Sequence, residues 1–387
     1  MSTRPDQRIR VMRIIARMNV GGPAVQVSGL MRGFDQEIFE HRLYTGFCND
    51  DESDYLDTVA TDVSAIRITG LGRSISPVAD LKAFIHLTKE IREFRPHVIH
   101  THTAKAGVVG RIASLLSGRH SIRVHTFHGH LLHGYFGKFK TSLVIVVEKT
   151  LAIFTHRLLA VGERVMKDLL EAGIGSAEKF SVMSPGLKLE ALPSREIARA
   201  GLGLDPDGIY CAFIGRITHI KRPDRFLDVV AAIRQKGIAL HFIVAGDGQL
   251  LEESKARAIK ESLPVTFLGW RSDIETILAA SDMVVLTSDN EGTPLSLIQA
   301  GMAHLPVVST RVGSVPEIVA DGETGLVVDL SVESLAEAIS TLVRETNFRT
   351  EMGAKAYDYT MTRYGVARLV KDHQDLYMKL FNDRAKS

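Results

Sequence analysis

The stretch Glu291-Gly-Thr-Pro-Leu-Ser-Leu-Ile-Gln299 directly follows the apolar run Met283-Val-Val-Leu-Thr287. The apolar run predicts a buried strand. The stretch after it predicts a helix with Thr293 as the N-cap and Pro294 as the first helical residue, where a missing N–H costs least. A helix that begins there presents unpaired N–H groups and the positive end of its dipole, which suits a phosphate. Gly292 has no Cβ and lets a ligand approach the backbone closely.

Gln299 extends this predicted site along the same helix. It lies roughly 7.5 Å along the axis from Pro294, at about 1.5 Å per residue, and on nearly the same face as Leu295. An anion at the helix tip and a hydroxyl-bearing ring at Gln299 would therefore be separated by about the length of one sugar–phosphate unit. Glu291, just ahead of the tip, could accept hydrogen bonds from hydroxyls on the far side of the phosphate. This geometry fits a nucleotide-sugar, and an ordinary βα turn with a capped helix explains the same stretch equally well.

The composition indicates a globular protein of a reducing compartment. At 387 residues the chain is long for one core, so two domains are expected, and 45% hydrophobic with 24% charged residues is ordinary for a soluble fold. The apolar run Leu143–Val147 is far shorter than the roughly 18 to 20 residues that span a bilayer. Residues 1–8 show no signal-peptide pattern. Cys48 and Cys211 lie far apart near apolar segments, which predicts two buried, reduced thiols and a cytoplasmic location.

The charge is nearly balanced overall but unevenly distributed. The formal net charge is +2, whereas residues 1–185 contain 24 Lys and Arg against 18 Asp and Glu. A basic first half would favour an acidic acceptor or an anionic membrane surface, although scattered solvated charge gives the same count. Because no basic–aromatic stripe is present, the sequence offers no electrostatic footprint for nucleic acid.

Apolar β-rich runs alternate with helical patterns, which is typical of parallel α/β layers. The alternation predicts a first domain over residues 1–186, a linker with a short helix over 187–208, and a second domain over 209–365. The amphipathic segment at about 366–387 is expected to pack back on the first domain. Two Rossmann-like doubly wound domains that face a central cleft are the simplest assembly, with ligands beyond the carboxyl ends of the strands. Strands are predicted at Ile9–Ala16, Phe39–Phe47, Val63–Ile68, His97–His102, Arg123–His128, His156–Val161, Phe180–Ser184, Tyr210–Ile214, His241–Ala245, Val265–Leu268, Met283–Thr287, Pro306–Ser309 and Leu326–Val328.

Two further pairs of candidate residues lie where predicted strands end. Gly21 and Gly22 come between the first strand and a helix, as in a phosphate-binding turn. The full Gly-x-Gly-x-x-Gly fingerprint is absent, and plain turn punctuation is the alternative. Arg216 ends another strand, and Lys221 lies five residues on. Two cations around one loop can neutralise a diphosphate, and cations beside a helix start are poorly placed for its dipole, so phosphate binding is favoured over a surface pair.

Other strand ends give weaker signals. Val244-Ala-Gly-Asp-Gly248 places Gly246 in a turn, and Phe267-Leu-Gly-Trp270 carries the one tryptophan, which could contact a base but more often packs in a core. The stretch Thr101–Gly107 opens a helix with polar side chains that could contact an acceptor or cap a surface helix. These side chains are His102, Thr103 and Lys105.

The densest histidine cluster consists of His125, His128, His130 and His133. Imidazole is a common zinc ligand, but these residues alternate with apolar ones at a strand end, and no Cys or paired carboxylate accompanies them. No metal is therefore expected. A hydrogen bond from His128-Gly129 to a sugar or phosphate explains the motif better.

The ordered series of these pieces resembles the glycosyltransferase family 4 enzymes, which are retaining transferases of GT-B fold, over nearly the whole chain. Each piece is modest, but their order is specific. The matching pieces are Gly21-Gly22, Thr101–Gly110, His128-Gly129, Gly215-Arg216 with Lys221, Gly246-Asp-Gly248, Glu291-Gly-Thr-Pro294, Gly313-Ser-Val-Pro-Glu317 and Asp321-Gly-Glu-Thr-Gly325.

The resemblance implies roles for individual residues. In the family, the equivalents of Arg216 and Lys221 hold the donor diphosphate with help from the diglycine loop, and the equivalent of Glu291 contacts the donor sugar. An acid after seven intervening residues holds the ribose hydroxyls. Here that position is Gln299, whose amide keeps an acceptor and a donor but no charge. Thr293 stands where many members carry an aromatic residue. The expected catalytic residues are Arg216, Lys221, Glu291 and His128, and the expected donor-binding residues are Gly21, Gly22, Gly246, Trp270, Gly292, Thr293, Pro294, Leu295 and Gln299.

The resemblance also implies the reaction. It is a hexosyltransferase-type transfer of sugar from a nucleotide-diphosphate donor, expected to be a UDP-sugar, to a hydroxyl acceptor with retention of configuration. The expected acceptor is a glycan or lipid-linked intermediate of cell-envelope or extracellular polysaccharide synthesis. Neither a metal nor another cofactor is required, because the cations supply the charge. The alternatives are a GT-B nucleotide-sugar epimerase and a non-catalytic nucleotide-sugar-binding subunit.

The expected location is cytoplasmic, with peripheral contact at the inner face of the membrane. The predicted helix Lys138–Phe154 is basic at its start and apolar on one face, which suits a membrane surface. The same pattern describes a core helix, which is slightly preferred.

Overall fold

The computed structural model describes residues 8–50, 52–74, 76–129 and 138–386. The chain forms two compact units: unit 1 comprises Met1–Leu187 with Val366–Ser387, and unit 2 comprises Lys188–Gly365. Each unit has its own parallel sheet and its own hydrophobic core. Unit 2 is therefore an insertion between two segments of unit 1.

Unit 1 contains a sheet of seven parallel strands that is covered by helices on both faces. Its central strands are rich in Val and Ile because neither face is left to solvent. The strands are β1 (Ile9–Ile15), β2 (Phe39–Thr45), β3 (Ala65–Arg67), β4 (Val98–His102), β5 (Ile122–Phe127), β6 (Arg157–Ala160) and β7 (Phe180–Val182), in the order β3-β2-β1-β4-β5-β6-β7. The helices between them are α1 (Gly22–Gly33), α2 (Tyr55–Thr58), α3 (Pro77–Phe94), α4 (Ala104–Leu116), α5 (Lys138–Ile153) and α6 (Glu163–Glu171).

Unit 2 repeats the arrangement with six parallel strands. The strands are β8 (Tyr210–Ile214), β9 (His241–Ala245), β10 (Val265–Gly269), β11 (Met283–Leu286), β12 (Val307–Thr310) and β13 (Gly325–Val328), in the order β10-β9-β8-β11-β12-β13. The helices are α7 (Arg195–Gly201), α8 (Pro223–Gln235), α9 (Leu251–Lys260), α10 (Ile274–Ala280), α11 (Leu295–Met302), α12 (Val315–Ile318), α13 (Val332–Arg344) and α14 (Thr346–Tyr364). The thirteen predicted strands are all confirmed to within two residues at each end.

Helix α7 lies within the segment that was predicted as a linker. It packs on α10, and two of its arginines, Arg195 and Arg199, form ion pairs with Asp282. Because unit 2 begins at Lys188, most of this segment is held against unit 2 rather than left as free chain.

The last helix, α15 (Val366–Lys386), returns to unit 1 and packs against α1. Leu369 and Tyr377 on α15 are completely buried in a cluster with Phe34 and Phe39. The expectation that the C-terminal helix packs on the first domain is therefore confirmed.

Helix α5 is less buried than expected for a core helix. It buries Leu151 and Ala152, but Leu143, Val146 and Ile153 are 58%, 60% and 69% exposed. The preference for a core helix is thus wrong for this outer face, which is apolar and open. No helix in the described part of the chain is both long and apolar enough to cross a bilayer.

The order of the strands locates the candidate site. Strand order reverses between β1 and β4 in unit 1 and between β8 and β11 in unit 2. Loops that leave adjacent strands in opposite directions open a crevice at the carboxyl ends, where ligands of doubly wound sheets bind. Gly21-Gly22 and His102 lie at the first reversal, and Gly215-Arg216 and Glu291 lie at the second.

Candidate functional site

The centre of the unit 2 site is an ion pair between Lys221 and Glu291. Lys221 Nζ lies 2.5 Å from Glu291 Oε1, which also accepts a hydrogen bond of 2.5 Å from the Ser288 hydroxyl. Both side chains are largely buried, with 17% and 9% exposed. Glu291 Oε2 has no partner among the described residues, so one carboxylate oxygen remains available to a ligand hydroxyl.

The loops that carry this pair are joined by hydrogen bonds across the switch point. The Thr287 hydroxyl donates to Lys221 O over 2.9 Å, and Asp289 N–H donates to Ile220 O over 2.9 Å. Arg225 of α8 donates to Thr287 O and pairs with Asp289. These bonds hold the loop after β8 against the loop after β11, so the positions of the two charges are fixed by backbone contacts.

Arg222 reinforces the same junction. It has a left-handed backbone, with φ of 53°, and its guanidinium binds the carboxylates of Asp224 and Asp289. The hydrogen bonds that Arg222 donates to these carboxylates raise its pKa above the ordinary value. The sequence analysis did not predict these ion pairs of Arg222 with Asp224 and Asp289. The signal for them was the run of polar residues after the apolar strand, Thr287 to Asn290.

Two glycines allow backbone segments to approach closely around the site. A Cβ at Gly313, where φ is 49°, would lie 1.8 Å from Glu291 O. The next residue, Ser314, donates its N–H to the same oxygen over 3.2 Å. A Cβ at Gly246 would lie 1.9 Å from Gly215 O. Larger residues at either position would displace the turns that carry Glu291 and Arg216.

The start of α11 differs from the prediction. The helix begins at Leu295, while Pro294 has an extended ψ of 98° and Thr293 makes no capping hydrogen bond. Thr293 as N-cap and Pro294 as first helical residue are therefore wrong. The proline ring fixes φ but not ψ, so Pro294 can precede the helix as easily as begin it. Unpaired N–H groups at the tip are still expected for the first turn.

Three hydroxyls around the site are buried without a partner among the described residues. They are Thr218 Oγ1, Thr293 Oγ1 and Ser314 Oγ. The three residues lie in the loops that follow β8, β11 and β12, which are adjacent strands. Buried hydroxyls are normally hydrogen-bonded, so their clustering at one sheet edge indicates a place built to bind a polar ligand.

Within the described part of the chain, the other predicted residues of unit 2 form no side-chain hydrogen bond or ion pair with Lys221 or Glu291. Arg216 is exposed and has no side-chain partner among the described residues. Trp270 is 55% exposed just after β10. Gln299 is partly buried on α11, and its amide makes no hydrogen bond within the described chain. Gly292 and Leu295 flank the helix start and are partly exposed. The structure therefore brings Lys221 and Glu291 together, whereas Arg216 and Trp270 are exposed and Gln299 is only partly buried.

In unit 1 the predicted residues also lie at the carboxyl ends of strands. Gly21 caps α1 and Gly22 begins it, with Gly21 O accepting from Ala24 N–H and Val25 N–H. His128, just after β5, is partly exposed, and its Nε2 lies 2.8 Å from His102 Nδ1. Gly21, Gly22 and His128 are thus placed where a ligand of unit 1 would bind.

The three candidate acceptor residues are each engaged within unit 1. His102 is completely buried, so its predicted contact with an acceptor is wrong; its ring contacts Arg13 and His128 instead. The Thr103 hydroxyl accepts from Ala16 N–H over 3.2 Å. Lys105 Nζ pairs with Asp80 Oδ1 at 2.6 Å.

The histidine cluster does not form a metal site in the part of the chain that is described. No group of three or more His, Cys, Asp or Glu side chains there is arranged to hold a metal ion. His125 is buried and hydrogen-bonded to Thr101, while His130 and His133 lie outside the described residues. The two cysteines are free thiols; Cys211 is buried as expected, and Cys48 is partly exposed.

A buried ion pair supports unit 1 beneath these loops. Arg111 of α4 and Glu148 of α5 are each 1% exposed, and Arg111 NH2 lies 2.6 and 2.8 Å from the two carboxylate oxygens. Arg111 Nε also donates to Gly107 O over 2.7 Å. This pair joins two neighbouring helices on one face of the sheet.

Two family models match successive parts of the chain. The model described as "Glycosyl transferase 4-like domain" matches residues 21–186, and that described as "Glycosyl transferases group 1" matches residues 194–359. The first match lies in unit 1 and the second in unit 2.

Relatives and solved structures agree with these matches. A UDP-Gal:alpha-D-GlcNAc-diphosphoundecaprenol alpha-1,3-galactosyltransferase of Escherichia coli is 29% identical over 345 residues, which are 85% of this chain and 86% of that protein. The capsular polysaccharide biosynthesis glycosyltransferase CapM of Staphylococcus aureus is 23% identical over 76% of this chain and 79% of that protein. HepE of Anabaena, solved in complex with UDP and glucose, has a TM-score of 0.80 at 20% identity and covers 95% of this chain and 98% of that chain.

The resemblance seen in the sequence is thereby confirmed. Two doubly wound parallel sheets, the site at the switch point of unit 2 and the two family models together lead to one conclusion: the chain belongs to the family 4 glycosyltransferases and is a glycosyltransferase of GT-B fold.

Proposed function

We propose that this enzyme transfers a hexose from a UDP-sugar to a hydroxyl of a lipid-linked glycan intermediate of cell-envelope or extracellular polysaccharide synthesis, with retention of configuration. The observation that carries the proposal is the cluster at the switch point of unit 2. There the Lys221–Glu291 pair, the start of α11 and three unpartnered buried hydroxyls follow adjacent strands. Such a cluster offers positive charge and hydrogen-bond donors to a diphosphate, and a carboxylate oxygen to a sugar hydroxyl.

The chemistry of the site supports transfer by charge stabilisation. As the bond between the sugar C1 and the diphosphate oxygen breaks, negative charge grows on the leaving diphosphate. Lys221, Arg216 and the N–H groups of α11 are the groups of unit 2 that can stabilise this charge. The acceptor oxygen attacks C1 from the same face, and its proton passes to the departing diphosphate. Glu291 Oε2 would hold a sugar hydroxyl during this step.

The relatives support the choice of donor and acceptor. The name of the Escherichia coli relative states a UDP-linked galactose donor and a diphosphoundecaprenol-linked acceptor. The structure of HepE contains UDP and glucose. The exposed apolar face of α5 would also suit an acceptor that is anchored in a membrane.

A donor screen with a lipid acceptor tests the proposal. The enzyme is incubated with a panel of UDP-, GDP- and ADP-sugars and with lipid extract from envelope-synthesising cells, and release of free nucleoside diphosphate is followed by mass spectrometry. UDP release that depends on the extract, together with an α-linked sugar on a lipid product from an α-linked donor, supports it. If only GDP or ADP were released, the proposed UDP-sugar donor would be wrong. If the product carried a β-linked sugar, the proposed retention of configuration would be wrong.

Gln299→Glu is expected to tighten donor binding. A carboxylate at this position on α11 can accept charge-assisted hydrogen bonds from ribose hydroxyls, which are stronger by about 1 kcal/mol than those of a neutral amide. The KM for the nucleotide-sugar should fall about fivefold with little change in kcat. Gln299→Leu, which removes both hydrogen-bonding groups, should raise KM. A higher KM for Gln299→Glu would instead show that the NH₂ group of the amide is needed as a donor.

A further inference from the structure

Arg13 is a buried cation whose side-chain partners are all neutral. Its side chain is completely buried in unit 1, on β1. The described contacts of its guanidinium are with His100, His102 and Tyr377, and its Nε has no partner among the described residues. A buried charge that is not matched by a carboxylate is expensive in stability. Its presence therefore points to a role other than stabilising the core.

The pleat of the sheet brings Arg13 to the two histidines. Arg13 on β1 pairs in register with His100 on β4, and His102 lies two residues further along the same strand. Side chains two residues apart share one face of a strand, so all three lie on the face covered by α15. His128 follows β5, the next strand across, and reaches back to His102.

The geometry determines which nitrogens carry protons. Arg13 can only donate, and its NH1 lies 2.7 Å from His102 Nε2, so that nitrogen must accept. The single proton of a neutral His102 is then on Nδ1, which lies 2.8 Å from His128 Nε2. His128 Nε2 must accept in turn, which places the proton of His128 on Nδ1.

The second branch of the network agrees with this assignment. Arg13 NH2 donates to the Tyr377 hydroxyl over 3.0 Å, so that hydroxyl directs its own proton to His100 Nδ1. Arg13 NH1 also faces His100 Nδ1, at 3.2 Å. His100 is then left with a proton on Nε2, which lies 2.7 Å from the Thr126 hydroxyl. One assignment of protons is therefore compatible with all the contacts among Arg13, His100, His102, His128, Tyr377 and Thr126.

The histidines of the network are neutral at neutral pH. Burial, followed by the charge of Arg13, lowers the pKa of His128 to about 3. Burial also holds the pKa values of His100 and His102 well below their ordinary value. Each ring therefore carries one proton, and the position of that proton is a defined property.

We propose that Arg13 is a positioning residue that acts through His102 to hold His128 in the Nδ1–H tautomer, so that His128 presents a hydrogen-bond donor to a phosphate or hydroxyl oxygen of a substrate. The part that concerns the substrate rests on the proposed function, whereas the tautomers follow from unit 1 alone. His128 Nδ1 has no hydrogen-bond partner among the described residues, so none of them competes with a ligand for its N–H. His128 cannot serve as a general base in this state, because Nε2 is occupied by His102 and Nδ1 is protonated. Its role is to donate to a phosphate or hydroxyl oxygen.

Nitrogen NMR of the full-length enzyme tests the tautomers directly. Long-range ¹H–¹⁵N correlations of protein labelled at histidine show which ring nitrogen is protonated, and His102→Gln and His128→Gln assign the two rings. In the wild type, both rings should show Nδ1–H. In Arg13→Met, nothing donates to His102 Nε2, and both rings should change to Nε2–H, the form that histidine prefers in water. Arg10→Met, on the same strand but outside the network, should leave both rings unchanged.

Kinetics then connect the tautomer to transfer. Arg13→Met should lower kcat for the nucleotide-sugar by about 10- to 100-fold, as is usual when the partner that orients a functional histidine is lost. Its unfolding midpoint should not fall, since an apolar side chain replaces an unmatched buried charge. Arg10→Met should stay within about twofold of the wild-type rate.

The possible results distinguish a failure of this proposal from a failure of the proposed function. We call the control of the His128 tautomer by Arg13 through His102 the relay. A wild-type spectrum with Nε2–H on His128 contradicts the relay even if Arg13→Met fails to fold. An Arg13→Met spectrum identical to that of the wild type overturns it as well. If the tautomers change as expected but no nucleotide-sugar is consumed by the wild type, the relay stands and the proposed donor falls.

Discussion

Lys221→Ala is expected to lower the rate of sugar transfer by about 10²–10³-fold, the usual effect of removing one preorganised donor from a developing negative charge. The Lys221 ammonium is held 2.5 Å from Glu291 by loops that are hydrogen-bonded to each other, so its position is fixed before a ligand binds. The loss should appear in kcat as well as in kcat/KM, because the charge on the leaving group is greatest in the transition state. Release of UDP and formation of product give the measurement.

Two comparisons make the Lys221 result specific. Lys236→Ala removes an equally charged side chain of unit 2 that pairs with Glu337 at the surface, and it should leave transfer unchanged. Arg216→Ala should also reduce transfer by orders of magnitude, although Arg216 is exposed and contacts neither Lys221 nor Glu291. Transfer at near-wild-type rates in either site variant would refute the assigned role of that residue.

Glu148→Ala should lower the free energy of unfolding by about 3–5 kcal/mol, since it leaves the Arg111 guanidinium buried without its carboxylate. Both side chains are only 1% exposed, so water cannot replace the lost partner. The measurement is the denaturant midpoint at constant slope, provided that unit 1 unfolds cooperatively.

Two variants distinguish the unpaired charge from the lost volume. Glu171→Ala removes an exposed carboxylate that pairs with Lys167, and it should change stability by less than about 0.5 kcal/mol. The double variant Arg111→Met with Glu148→Leu removes both charges and fills the space, so it should be far closer to the wild type than Glu148→Ala. If the double variant were as unstable as the single one, packing rather than charge would explain the loss.

The strands and the position of the site were predictable because both depend on local patterns. Short apolar runs such as Met283–Leu286, flanked by polar turns and alternating with helical patterns, favour buried strands, and the residues that follow such strands lie at the carboxyl edge of a parallel sheet. That edge places Lys221 and Glu291 on the same side of the sheet, whereas their meeting at one switch point also needs the strand order, in which β8 and β11 are neighbours. Their contact distance follows from neither, because it depends on backbone hydrogen bonds between residues more than sixty positions apart.

The errors concern features that local sequence does not determine. Pro294 fits the first turn of a helix and the residue before it equally well, and the ψ that decides between them is set by the packing of the loop. His102 was expected to face an acceptor because it opens a helix, but the pleat turns it towards Arg13. The sequence of α5 has the apolar spacing of a core helix, but this spacing does not show whether another element covers the apolar face. In the structure that face is exposed.

The insertion of unit 2 between two segments of unit 1 has a consequence for synthesis on the ribosome. Residues 188–365 form a contiguous segment and can fold as soon as they emerge. The sheet of unit 1 is made before unit 2, yet it lacks α15 until that helix is translated after unit 2. Leu369 and Tyr377 are missing with it. Until then the apolar face around Phe34 and Phe39 stays uncovered and Arg13 lacks its tyrosine partner. Unit 1 is therefore begun before unit 2 is made and is completed only after it.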